Sequence, residues 1–164
     1  MVCHIREKFT INKNTLLRRY IKPEDVEKYV SGEYDAVRGC ISREGDCNDV
    51  GDFEDIFETF RLDYDNIPYH STDKSYWKIE FKSIQDDLKK INLDNTYGKE
   101  FGGLNEDINP CTRNGFTGAK NGKVIPEWNL KEGRGYDTAL ITKIENGKIM
   151  KQYKFVDGKW RKVK

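Results

Sequence analysis

Two dipeptides near the C-terminus constrain the local fold more than any other feature of the sequence. Asn146-Gly147 and Asp157-Gly158 each separate two runs rich in strand-forming residues. Both dipeptides accept the positive φ angles that a tight two-residue hairpin requires. The sequence therefore predicts a three-stranded antiparallel meander. Its strands are expected at residues 138–144, 148–156 and 159–163.

Helical patterns dominate the N-terminal part of the chain. Residues 16–21 follow a polar Asn14-Thr15 start, and Pro23 opens a second helix that ends at Gly32. A third helix is predicted from residue 52 to about residue 60, because its large apolar residues recur at helical spacing.

The middle of the chain favours strands and a long loop. Residues 34–41 and 75–82 alternate apolar with polar side chains, as strands with one wet face do. A short helix is predicted at 85–90 and a glycine-rich loop at 94–122. We expect a single domain over residues 1–164 of the α+β class, with N-terminal helices packed on a mostly antiparallel sheet that ends in the meander.

The composition is that of a folded, water-soluble protein. Aromatic residues supply core volume in a chain with only 36% hydrophobic residues. No apolar run is long enough to span a bilayer, and the N-terminus does not resemble a signal peptide. The four cysteines form no CxxC pair and fit no metal motif, so we expect reduced thiols and no metal site. The expected location is the cytoplasm, or a target cytoplasm reached as part of a longer protein.

Charge is divided unevenly along the chain. Nine acidic residues lie within residues 44–65, whereas residues 143–164 carry eight basic residues and only two acidic ones. Such a division can steer an anionic partner to the C-terminal end or let the two surfaces attract each other.

Two charged residues stand in apolar, strand-like surroundings. Arg38 is followed by Gly39 in the 34–41 run, where a permanent cation suggests an anionic ligand and a glycine allows close approach. Glu127 lies between Pro126 and Trp128, where apolar neighbours would raise the pKa of its carboxyl group. Between them in the sequence, the hydroxyl pair Ser71-Thr72 precedes the 75–82 strand.

An arginine, a Ser/Thr pair and a glutamate in this order resemble the Arg-Ser-Glu class of ADP-ribosyltransferase toxins and effectors. The matching positions are Arg38 with Gly39, Ser71-Thr72 and Glu127. The sequence departs from that pattern in three ways. Asp73 occupies the third Ser/Thr position, Ile125 stands where arginine-modifying members have Gln or Glu, and Phe116-Thr117-Gly118 is a rival hydroxyl motif.

The resemblance implies an enzyme that consumes NAD by cleaving its nicotinamide–ribose bond. Glu127 would stabilise the developing positive charge on the ribose, and Ser71 or Thr72 would orient it. Arg38 and Gly39 would hold the pyrophosphate, with Phe116 or Trp128 stacking on the nicotinamide. The acceptor would be an unknown protein or nucleic acid, or water if the reaction is hydrolysis.

Two other functions remain open from the sequence. A small ribonuclease toxin would use His70 for acid–base chemistry and the basic C-terminal sheet for phosphate binding. A non-enzymatic immunity or interaction module would instead use its acidic segment, at residues 44–65, to bind a basic partner. No membrane partner is expected, whereas an immunity or antitoxin protein is a candidate partner.

Overall fold

In a computed structural model of the chain, the described residues form seven β-strands and two short α-helices. The structure describes residues 9–63, 67–84, 116–117 and 119–164. The helices are α1 (Pro23–Val30) and α2 (Phe53–Phe60), and a 3-10 turn spans Glu44–Cys47. The strands are β1 (Leu17–Ile21), β2 (Val37–Arg43), β3 (Ser75–Ser83), β4 (Trp128–Arg134), β5 (Tyr136–Glu145), β6 (Lys148–Val156) and β7 (Lys159–Lys162).

The strands form one antiparallel sheet in the order β4-β2-β1-β3-β5-β6-β7. β1 pairs with β3 along its whole length, but it pairs with β2 only through Leu17–Arg43 and Arg18–Ser42. Beyond these two pairs β2 leaves β1 and continues alongside β4. The sheet is therefore split between β1 and β2.

Each face of the sheet carries its own apolar core. On one face, α1 packs with side chains from β1 to β5, and the fully buried members include Val37, Ile79 and Ile141. The opposite face carries the aromatic residues of α2, packed against Tyr20 of β1 and Tyr69. β1 contributes to both cores, because Leu17 and Ile21 belong to the first and Tyr20 belongs to the second.

Local sequence signals explain where the two helices begin and end. Pro23 occupies the first turn of α1, where its missing N–H costs no helical hydrogen bond. The side chain of Asp52 accepts a hydrogen bond from the Asp55 amide and caps α2. α2 ends at Arg61, which adopts a left-handed conformation with φ of 52°.

The predicted fold class is wrong, because the N-terminal region does not form a layer of helices on a sheet. Over the residues that the structure describes, the fold is mostly an antiparallel sheet with only two short helices. Residues 16–21, predicted to be helical, contain the interior strand β1. Pairing with β3 on one side and β2 on the other outweighs the helical propensity of this segment.

The C-terminal meander is confirmed, with β5, β6 and β7 close to the predicted ranges. Both turn dipeptides have positive φ at both positions, at 49° and 75° in the first and 51° and 76° in the second. The helices at Pro23 and Asp52 are confirmed as well. The helix predicted at 85–90 and most of the loop predicted at 94–122 lie outside the described residues.

Neither described helix has the length and apolar composition needed to cross a lipid bilayer.

Candidate functional site

A cavity of about 250 Å³ occupies the split between β1 and β2. Arg18, Arg19 and Tyr20 of β1 form one wall, and residues 39–42 of β2 form the opposite wall. Asn129 of β4 and Glu127, the residue before β4, also line it, while Phe60 and Leu62 close it from the end of α2. The cavity thus combines two guanidinium groups, a carboxylate, an amide and aromatic rings.

Arg19 crosses the split and contacts the backbone of β2. Its Nη1 donates a hydrogen bond to the carbonyl oxygen of Cys40 at 2.8 Å. The guanidinium lies against Gly39, where an added Cβ would stand only 2.7 Å from Nη1. Within the part of the chain that the structure describes, no carboxylate forms an ion pair with Arg19. Its remaining N–H donors are therefore available to an anionic ligand.

Arg18 also lines the cavity, but its charge is already balanced. Its Nη2 and Nε donate to the same carboxylate oxygen of Glu80, at 2.9 and 3.2 Å. Lys78 adds a second cation 3.2 Å from that carboxylate. Burial acts to raise the pKa of Glu80, but the two cations outweigh it and hold the pKa below its usual value. Arg18 is therefore a fixed wall of the cavity.

Glu127 reaches the cavity because of the way β4 pairs with β2. Trp128 is opposite Ile41 and Asn129 is opposite Cys40. Side chains alternate along a strand, so Glu127 and Asn129 lie on one face while Trp128 lies on the other. Glu127 is half-buried, whereas Trp128 is only 5% exposed and belongs to the core that contains α1.

The structure brings together only two of the sequence-predicted site residues. Gly39 and Glu127 line the same cavity. Arg38 is exposed and does not line it; its Cγ lies beside Gly133 of β4, 3.0 Å from where a Cβ would stand. Gly133 is six residues beyond Glu127 in the chain and lies past the register shift between β2 and β4. Arg38 and Glu127 therefore do not meet around one ligand group in this arrangement.

The predicted hydroxyl pair lies elsewhere. Ser71 and Thr72 are exposed and line a different cavity of about 640 Å³, beside the start of α2 and the β5–β6 turn. Ser71 and Thr72 precede β3 in the chain. In the sheet, β1 and β2 lie between β3 and β4. The structure consequently places neither hydroxyl beside Glu127.

The two predicted stacking residues point into the protein. Trp128 is buried, with the Arg43 guanidinium 5.8 Å from its ring centre. Phe116 is half-buried, makes an edge-to-face contact with Phe9 at 6.0 Å and bridges to Pro126. Neither residue lines the cavity at Glu127, so their stacking on nicotinamide stays a prediction.

The structure also describes His70 and two of the four cysteines, which the sequence analysis considered for acid–base chemistry and metal binding. His70 is exposed in the turn before β3, where its amide donates to Asp73. Cys40 and Cys47 are free thiols, and the described residues contain no cluster of His, Cys, Asp and Glu suited to a metal ion.

Sequence reasoning missed Arg18 and Arg19 because their segment was interpreted as a helix. Two consecutive arginines in a strand with core residues on both faces would have been a signal, since one of them must then lie on each face of the sheet.

Comparison of the chain with protein-family models, curated proteins and solved structures found no match.

Proposed function

We propose that the protein cleaves the nicotinamide–ribose bond of NAD, as an ADP-ribosyltransferase-like enzyme or an NAD glycohydrolase. The observation that carries this proposal is that Glu127 shares one cavity with Arg19, a guanidinium without a carboxylate partner in the described chain. A dinucleotide can interact with both side chains. Its anionic pyrophosphate suits the guanidinium of Arg19, and its ribose, which becomes cationic during cleavage, suits the carboxylate of Glu127.

In this proposal Arg19 takes the anion-binding role that the sequence suggested for Arg38. Its planar guanidinium can bind two phosphate oxygens at once, and the Cys40 carbonyl holds it in place. Asn129 extends from β4 on the same face as Glu127 and supplies hydrogen bonds to ribose hydroxyls. The cavity is small for a whole dinucleotide, so it takes the reacting end while the rest lies outside.

The reaction breaks the bond between ribose C1 and the pyridinium nitrogen. The electron pair of that bond goes to the nitrogen, which leaves as neutral nicotinamide. An oxygen of water or of an acceptor forms the new bond to C1, and Glu127 accepts its proton. Because positive charge on the sugar is largest in the transition state, a carboxylate at this point lowers the barrier more than it strengthens substrate binding.

The test measures free nicotinamide after incubation with NAD, with and without cell lysate. Release without lysate indicates hydrolysis, and release only with lysate indicates transfer to a macromolecule. Glu127→Gln should lower release about 100-fold or more while leaving the thermal midpoint nearly unchanged. Glu27→Gln, which removes an exposed carboxylate on α1, serves as the matched control and should retain full activity.

The proposal is overturned if the folded wild-type protein releases no nicotinamide under either condition. Equal release by wild type and Glu127→Gln would remove Glu127 from the mechanism.

A further inference from the structure

We propose that one face of the C-terminal meander binds single-stranded nucleic acid. This basic face consists of Trp77, Lys143, Lys151, Tyr153 and Lys162, on strands β3, β5, β6 and β7. The proposal is independent of NAD cleavage, because none of these residues lines the cavity at Glu127.

The strand register places the five side chains on the same side of the sheet. Trp77 pairs with Lys143, and Lys143 pairs with Lys151, so the three form a row across β3, β5 and β6. Tyr153 lies two residues beyond Lys151 and pairs with Lys162 of β7. Paired residues and residues two apart in a strand share one face.

The charges on the basic face are only partly balanced by the protein. Lys143 and Lys151 are direct cross-strand neighbours, an arrangement that destabilises a sheet. Lys151 and Lys162 are exposed, and neither forms an ion pair with any residue that the structure describes. The nearest compensation is Glu145, whose carboxylate lies 3.9 Å from the Lys143 ammonium. A bound polyanion would remove this repulsion.

The aromatic residues distinguish a nucleic acid from other polyanions. The rings of Trp77 and Tyr153 are nearly parallel, with an angle of 24° and centres 6.4 Å apart. Both side chains are half-buried and pack against the core that contains α1, which fixes their orientation. Fixed aromatic rings between lysines are suited to stacking unpaired bases while the lysines contact the phosphates. A duplex keeps its bases stacked on one another, so the face favours single strands.

The opposite face of the same strands provides a matched comparison. Lys154 and Arg161 are also exposed and also directly opposite each other. Their neighbour in β5 is Leu140, and no aromatic residue stands in this row of β5, β6 and β7. On β5, β6 and β7 the two faces therefore have similar charge, but only the basic face has an aromatic side chain beside its cations, that of Tyr153.

The experiment measures fluorescence anisotropy of labelled single-stranded RNA and DNA of about 12 nucleotides and identical sequence. Binding of both indicates contacts to backbone and bases, and binding of RNA alone indicates that the 2′-hydroxyl is also recognised; either result supports the proposal. Lys151→Gln/Lys162→Gln should weaken binding about tenfold and reduce the slope of log affinity against log salt by about 1.4. Tyr153→Leu, which keeps apolar volume, should weaken binding by a similar factor without changing the slope.

Lys154→Gln/Arg161→Gln is the control and should weaken binding less than threefold, about the limit of a general charge effect. Equal losses in the two double variants would overturn the assignment to the basic face. The proposal also fails if neither oligonucleotide binds, or if a duplex or poly-aspartate binds as tightly as the single strands. None of these outcomes depends on whether NAD is cleaved.

Discussion

At the scale of single residues, Gly39 determines the position of Arg19. Its φ of 91° is a conformation that residues with a Cβ rarely adopt, and the missing side chain leaves room for the guanidinium. The sequence suggested that Gly39 allows close approach of a ligand. In the structure the group that approaches is an arginine of the neighbouring strand.

Replacing Gly39 by alanine should therefore have two effects. Backbone strain should lower the free energy of unfolding by about 1–2 kcal/mol. The new Cβ should also displace Arg19, which would shift its side-chain Nε resonance in NMR spectra and reduce nicotinamide release.

Gly32→Ala separates these effects. Gly32 has a similar φ of 84°, but no atom would lie within 4 Å of an added Cβ. It should lose comparable stability with no change in the Arg19 resonance. An unchanged Arg19 resonance in Gly39→Ala would contradict the proposed contact.

At the scale of elements, Tyr69 connects the ends of two strands. Its hydroxyl donates to the carbonyl oxygen of Ile21 at 2.7 Å and accepts from the amide of Trp77 at 3.0 Å. Ile21 and Trp77 are the last pair of the β1–β3 ladder at the C-terminal end of β1. Burial raises the pKa of Tyr69 to about 12, so the phenol keeps the proton that it donates.

Tyr69→Phe should lower the free energy of unfolding by about 1–3 kcal/mol, because two backbone groups lose a buried partner. Denaturant unfolding measures the loss, and hydrogen exchange at the Trp77 amide should become faster. Tyr34→Phe is the control, since the Tyr34 hydroxyl accepts a longer 3.3 Å bond from Lys28; its loss should stay below about 0.5 kcal/mol. Equal losses would indicate that the Tyr69 hydroxyl has no special role.

The contrast between β1 and the meander shows which elements the sequence specifies locally. Each hairpin turn is encoded by two adjacent residues whose φ angles decide the geometry. In β1, Leu17 and Ile21 face one core and Tyr20 faces the other. The sequence of β1 therefore lacks the alternation of apolar and polar residues that marks a strand with one wet face. The same three residues fall at helical spacing, and only the neighbouring strands decide between the two structures.

At the scale of the whole molecule, ion pairs join α2 to the chain segment that precedes β4. Lys120 donates to Asp63 at 2.8 Å and Lys123 donates to Asp55. Hydrogen bonding to Lys123 lowers the pKa of Asp55. Burial acts to raise the pKa of Asp63, but Arg61 and Lys120 outweigh it and lower the pKa to about 2.

Stability should therefore decrease in acid as these ion pairs are lost. Both carboxyl groups bind protons less readily in the folded protein, so their contribution is present above pH 3.8, the ordinary pKa, and lost toward pH 2. Asp55→Asn/Asp63→Asn should be less stable at pH 7 and should lose less stability over this range. Urea unfolding at each pH measures both quantities.

Glu27→Gln/Glu33→Gln removes the same number of exposed carboxylates and should keep the wild-type pH dependence. A double Asp variant that loses as much stability as wild type between pH 4 and pH 2 would contradict the role of these pairs.

The candidate site could be predicted only in part, because a sequence order does not reveal which strands become neighbours. Gly39 and Glu127 meet because β2 pairs with β4, a pairing between segments far apart in the chain. Ser71 and Thr72 precede β3, which lies beyond β1 in the sheet. Arg18 and Arg19, the two cations that line the cavity, come from the segment whose secondary structure was predicted incorrectly.

The single residue between β4 and β5, Gly135, limits how far these two strands can move independently. β4 and β5 occupy distant positions in the strand order, yet only this residue separates them in the chain. Because Gly135 alone joins the two strands, the Arg134 end of β4 cannot move without also moving the start of β5. A ligand that displaced this end of β4 would therefore also disturb the meander that begins with β5.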